Sequence, residues 1–195
     1  LSWMFTVATN FNGNISSWNI SEVTQMRNLF NNADNFNQDI SGWDVSSVSD
    51  MEGVFQRAYD FNQDISGWGV SGTTDMDNMF YNAFTFDQNL SNWNVSGVTS
   101  MTAMFYGANS FNQDIGSWNV SGVTSFVDML DNTNLSIANY GALLIGWNQL
   151  NSLSAGETLG ATGLQYCMGE SARQNIINTY GNYHGFFKMG YETQE

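Results

Sequence analysis

Asp39, Asp64 and Asp114 stand at one position of a 25-residue period, and Asn14 and Asn89 fill that position where the carboxylate is missing. Oxygen donors stacked in register are the chemistry of calcium. On coils about 4.8 Å apart, two such charges repel by roughly 0.9 kcal/mol in water and roughly 3–4 kcal/mol at an effective dielectric constant near 20. Such a ladder needs cations, backbone donors or exposure. Asn serves a turn as well as Asp does, because either side chain accepts from a backbone N–H nearby. The column therefore reads as turn-forming residues with no metal or other cofactor, and a calcium ladder is the alternative.

Trp18, Trp43, Trp68, Trp93 and Trp118 share a second position. Exposed, Trp43, Trp68 and Trp93 would form a platform for sugar rings. Tryptophan is usually largely buried with its N–H satisfied, so core is the leading reading. Gln38, Gln63, Gln88 and Gln113 form an amide column, and so do Asn37, Asn62 and Asn112. Stacked amides bond to one another and read as structural. Asn-x-Ser sequons at Asn14, Asn19, Asn89, Asn94, Asn119 and Asn134 are largely copies of one another and matter only in a glycosylating host.

Groups suited to catalysis are few. The chain has one histidine, His184, and one cysteine, Cys167. No HExxH, GxSxG or glycine-rich phosphate loop occurs. Carboxylate pairs are easy to find among 18 acidic residues, and a repeated column is structural by default, since an enzyme needs one site. The expectation is a protein that is not an enzyme.

The period that carries these columns is the main feature of the chain. Phe11, Phe36, Phe61, Phe86 and Phe111 step by 25, and so do Phe5, Phe30, Phe55, Phe80 and Phe105, followed by Leu130. Ala8, Ala33, Ala58, Ala83 and Ala108 keep the same register. One coil cannot bury its apolar side chains alone, so coils must stack. Met51, Val54, Phe55 and Ala58 have the spacing of one helix face, with Ser49 or Asp50 as the cap. Ile40, Trp43 and Val45 around Gly42 read as a short strand with a bulge. The expected architecture is α/β: a right-handed leucine-rich-repeat-like solenoid with a short parallel sheet and short helices, closed by a C-terminal helical cap.

Residues 1–135 form the repeat region, with a partial repeat at 1–10 and full repeats starting at 11, 36, 61, 86 and 111; 136–195 form cap and tail. In Leu135–Leu150 the spacing predicts a helix capped by Ser136, with Ile137, Tyr140, Leu144 and Trp147 facing the last coil. A second helix is expected around Glu170–Tyr180.

The formal charge of −14 makes nucleic acid an unsuitable partner and disfavours anionic membranes. No run of 18 apolar residues exists to span a bilayer. The chain opens in mid-motif and reads as a fragment whose targeting signal lies elsewhere, and its first half-coil reads as an open end suited to self-association.

VTSMTAMFYGANSFNQDI, Val98–Ile115, resembles the bacterial surface protein repeat family of Mycoplasma lipoprotein-associated proteins and large secreted Bacteroidetes proteins. It is also similar to BspA-type leucine-rich repeats, whose VTxI…AF…C…L frame is filled here by VTxM…MF…A…F. NYxALLIGWN…YC…ESARQNII resembles the cap that often follows such repeats, but the family's usual YGWTI strand is replaced by YGNYHGFFKMGYETQE from Tyr180. The resemblance implies a secreted or cell-surface module that contacts other proteins or a host surface in adhesion, without catalysis. A carbohydrate-binding module using the Trp column and a self-assembling filament or spacer are the alternatives.

Overall fold

The structure, a computed structural model, describes residues 1–150, 153, 159–166 and 168–180. Cys167, His184 and the divergent tail lie outside them.

Each coil's second half is built from pairs of residues with left-handed backbone. Asn28 and Asn32, Gly53 and Arg57, Asn78 and Asn82, Ala103 and Gly107, and Asp128 and Asn132 all have φ between 51° and 67°. Asn, Asp and Gly dominate these positions because they tolerate that region with least steric cost. Between the left-handed residues, backbone N–H groups alternate in direction. Those of Met26, Asn28, Phe30 and Asn32 donate to the carbonyls of Asp50, Glu52, Val54 and Gln56 on the next coil, at 2.7–2.9 Å. Those of Leu29, Asn31 and Ala33 close local turns onto Met26, Asn28 and Phe30. Every coil repeats the scheme, so the array is a stack of turns held by bonds from coil to coil.

The α/β expectation, with its leucine-rich-repeat-like short parallel sheet and short helices in each coil, is therefore overturned. Among the described residues, the helices are α1 (Ile137–Trp147) and α2 (Glu170–Tyr180), both beyond the repeats. Strand-type pairing reduces to isolated parallel bridges linking Gln25, Asp50, Asp75, Ser100 and Ser125 in sequence. The physical reason lies in the left-handed residues: no α-helix continues through them, and they turn the backbone too often for a strand. The predicted strand at Ile40–Val45 is two turns, in which the Trp43 N–H donates to the Ile40 carbonyl and the Val48 N–H to the Val45 carbonyl.

The core runs the length of the stack. Phe55, Phe80 and Phe105 are fully buried, with successive ring centroids 5.6 and 5.4 Å apart. Phe61, Phe86 and Phe111 interleave with them at 3.9–4.0 Å. Methionines such as Met76, Met79 and Met104 fill the remaining space. On the first half-coil, Trp3, Met4 and Val7 are exposed.

Helix α1 continues the stack by other means. The Ser136 hydroxyl accepts from the Asn139 N–H at 3.3 Å, and Tyr140, Leu144 and Trp147 are buried, whereas Ile137 is exposed, contrary to the facing predicted for it. Trp147 Nε1 donates to the Ile115 carbonyl at 3.3 Å, the bond that each repeat tryptophan makes one coil earlier. Ala172 and Ile176 of α2 are also buried, and Asn175 donates to the Asn148 side chain at 2.6 Å.

Candidate functional site

Four surfaces carry side chains with chemistry to offer, and the first is the Asp39 column. Each of its members closes its own turn: Asp39 accepts from the Ser41 N–H at 2.9 Å, Asp64 from Ser66 at 2.9 Å and Asp114 from Gly116 at 2.8 Å. Asn14 and Asn89 accept from Ser16 and Ser91 in the same way. The Ser41 hydroxyl and N–H hold Asp39 below the usual carboxylate range, and Ser66 does the same for Asp64. The carboxylates are thus turn acceptors, each engaged with its own backbone.

The Trp column is core. Trp43, Trp68 and Trp93 are 3–4% exposed, and their Nε1 groups donate to the carbonyls of Ile15, Ile40 and Ile65 at 3.1–3.2 Å. No indole face is open to a sugar ring at these positions. The amide columns knit successive coils: the Asn37 side-chain oxygen accepts from the Asn62 N–H at 3.0 Å and from Gln63 Nε2 at 2.8 Å. Asp87 does the same for Asn112 and Gln113, and Asn112 passes the pattern to Ser136 and Asn139 of the helical segment.

The acidic side chains that do converge were missed by reading columns one at a time. Among the described residues, Asp50, Glu52 and Asp75 bring ligand atoms within 4.8 Å of one another. Arg27 lies against all of them, with Nε 3.1 Å from Asp50, Nη1 2.5 Å from Glu52 and Nη2 3.9 Å from Asp75. Burial pushes Glu52 and Asp75 above the usual carboxylate range, and the hydrogen bond to Asp50 raises Arg27. Arg27 shares a column with Glu52 and Asp77, so one coil supplies the cation that its neighbours' carboxylates need. The group is an ion-pair network across three coils.

The remaining surface is aromatic. Tyr59 and Phe84 stack at 4.8 Å and 6°, and Tyr81 and Tyr106 stack beside them at 4.9 Å and 8°. Phe84 is 40% exposed and the tyrosines are half-buried. Their columns hold Thr9, Asp34, Asn109 and Asn134, and Thr6, Asn31, Gln56 and Asp131, in the other coils. The backbone is the same in those coils, so the fold does not require aromatic rings here. The signal was present in the sequence as departures from the repeat, which a search for constancy discards. An open polar cleft of ≈ 370 Å³ lies where the last coil meets α1, lined by Asn112, Thr133, Ser136 and Gln165 among others. The Asn112 side chain there is already engaged by Ser136 and Asn139.

The family model described as Mycoplasma protein of unknown function, DUF285, matches residues 1–84 and again residues 66–143. No curated protein and no solved structure matches the chain.

Proposed function

The chain belongs to this Mycoplasma family of repeat-like proteins, and from that premise we propose that it is a secreted or cell-surface module that acts as a protein-binding, adhesive scaffold and not as an enzyme. The observation that carries the reading is the outer aromatic group, Tyr59, Phe84, Tyr81 and Tyr106, set on a backbone that tolerates polar residues in the same columns. Exposed aromatics on a rigid frame suit protein contact, where Tyr and Phe are enriched. The stack also suits display: its hydrogen bonds run between coils, so the outer side chains are free to vary without loss of the frame. Other proteins or a host surface are the partners this implies, with no cofactor, nucleic acid or membrane insertion in the proposed role. Among the described residues, no helix is long and apolar enough to cross a membrane.

The test is adhesion. Beads coated with the purified chain should settle on protein-coated and cell surfaces, and soluble chain should compete them off. Labelling of intact producing cells by an antibody against the chain should succeed without permeabilisation. Beads that adhere no better than albumin-coated ones, or labelling only after lysis, would reject the reading.

A further inference from the structure

We propose that the outer aromatic group is the docking site, and that its occupant is a protein segment presenting a bulky apolar residue flanked by lysine or arginine. This rests on the protein-binding reading above and names the partner's chemistry. The repeat is its own control. In two adjacent columns the polar residue of the sister coils is replaced by an aromatic ring, and both replacements fall on neighbouring coils, so the rings gather in one patch. Leaving Phe84 40% exposed gains nothing for the core, because Asn109 holds the same place on the next coil without altering the backbone.

The occupant's chemistry follows from stacking and charge. Rings that lie 4.8–4.9 Å apart and nearly parallel cover one another's faces. A sugar needs an open face; a protein side chain packs as well against edges. The columns end in carboxylates: Asp34 precedes Tyr59, and Asp131 follows Tyr106. Asp60 is exposed directly after Tyr59, and Asp75 and Asp77 lie six and four residues before Tyr81 on the same coil. Arg57 is the cation among them, in the column between the two aromatic ones. An apolar patch with an acidic rim, on a chain of formal charge −14, complements an apolar anchor with a basic rim.

The probe is a displayed library of random dodecapeptides panned against the whole chain. The variant combines Tyr59→Asn, Phe84→Asn, Tyr81→Gln and Tyr106→Gln, each residue taken from a sister coil so that the fold is retained; an unchanged melting midpoint checks this. Enriched peptides should carry Lys or Arg around a bulky apolar residue, bind the variant at least about tenfold more weakly and weaken as salt rises. A second variant, Asp75→Asn with Asp77→Asn, keeps the rings and should slow association several-fold. Peptides that bind the quadruple variant undiminished, or that are acidic, would overturn the site. So would binding of chitohexaose or cellohexaose that the quadruple variant abolishes, since a glycan would then be the occupant. If wild-type and variant beads adhere equally to a protein surface, scaffold function stands and this site falls; if neither adheres, the scaffold reading falls with it.

Discussion

The molecule contains two kinds of aromatic ladder. Inside, Phe55, Phe80 and Phe105 stack at 5.4–5.6 Å and are fully buried. Outside, Tyr59 with Phe84 and Tyr81 with Tyr106 stack at 4.8–4.9 Å against water. The inner ladder is present in every full coil before Leu130, because each coil must fill the same space against its neighbours. The outer ladders span one pair of coils each. Similar ring geometry thus has two origins: the inner one is imposed by the repeat, and the outer one is an addition that the repeat permits.

The comparison is sharpest at Phe80. Phe80→Ala should cost about 3–5 kcal/mol and lower the urea midpoint, because both adjacent coils lose contacts; a loss below about 1 kcal/mol would mean that the inner ladder is as dispensable as the outer. Trp68→Phe comes next. It leaves the Ile40 carbonyl without its 3.2 Å donor and should cost about 1–3 kcal/mol, while an unchanged midpoint would show that packing alone holds the indole column. Ala103→Gly should raise stability by about 0.5–1 kcal/mol, since Ala103 has φ 51° and glycine relieves the Cβ strain. A fall in its thermal midpoint would show that the buried methyl outweighs that strain.

Carboxylates offer a pH test with two signs. Glu52 and Asp75 are raised, so their contribution is full below the ordinary carboxylate pKa of about 4 and is lost as pH rises through the raised value. Asp39, Asp44 and Asp64 are lowered, so theirs is present above that range and lost as pH falls. Asp75→Asn should therefore gain on the wild type from acid to neutral pH, and Asp64→Asn should fall behind it. Parallel stability–pH curves for wild type and both variants would remove the assignment. The smallest effect belongs to the outer ladder: Tyr81→Gln should change stability by less than about 0.5 kcal/mol in urea unfolding. A loss comparable to that of Phe80→Ala would make the two ladders one structural system.

The period and the core were legible because stacking forces the same side chain inward every 25 residues. The conformation of the coil was not. Met51, Val54, Phe55 and Ala58 are all buried, as a helix face would be. Left-handed residues four apart, at Gly53 and Arg57, point the same positions inward with a repeat close to the helical one, so burial periodicity could not separate the two. The distinguishing signal was the pair of columns rich in Asn, Gly and Asp, Asn28–Gly53–Asn78 and Asn32–Asn82–Gly107, residue types suited to positive φ. The change of parity from Ile40 to Val45 likewise marked turns at Asp39 and Asp44, where a bulged strand had been expected. At the surface, the Asp39 column was readable because its donors are local in sequence. The Arg27 network was not, since its partners come from three coils, nor were the outer rings, which break the pattern.

Bonds that pass only from one coil to the next have a mechanical consequence. Pulled from its two ends, such an array carries the load through its inter-coil bonds in series, so coils give way one at a time from the weakest junction. Each coil contributes about 4.8 Å to the stacked length, yet its residues pay out roughly 85 Å of extended chain. An attached surface under shear would feel a tether that yields in steps, dissipating work while the coils still stacked keep their shape.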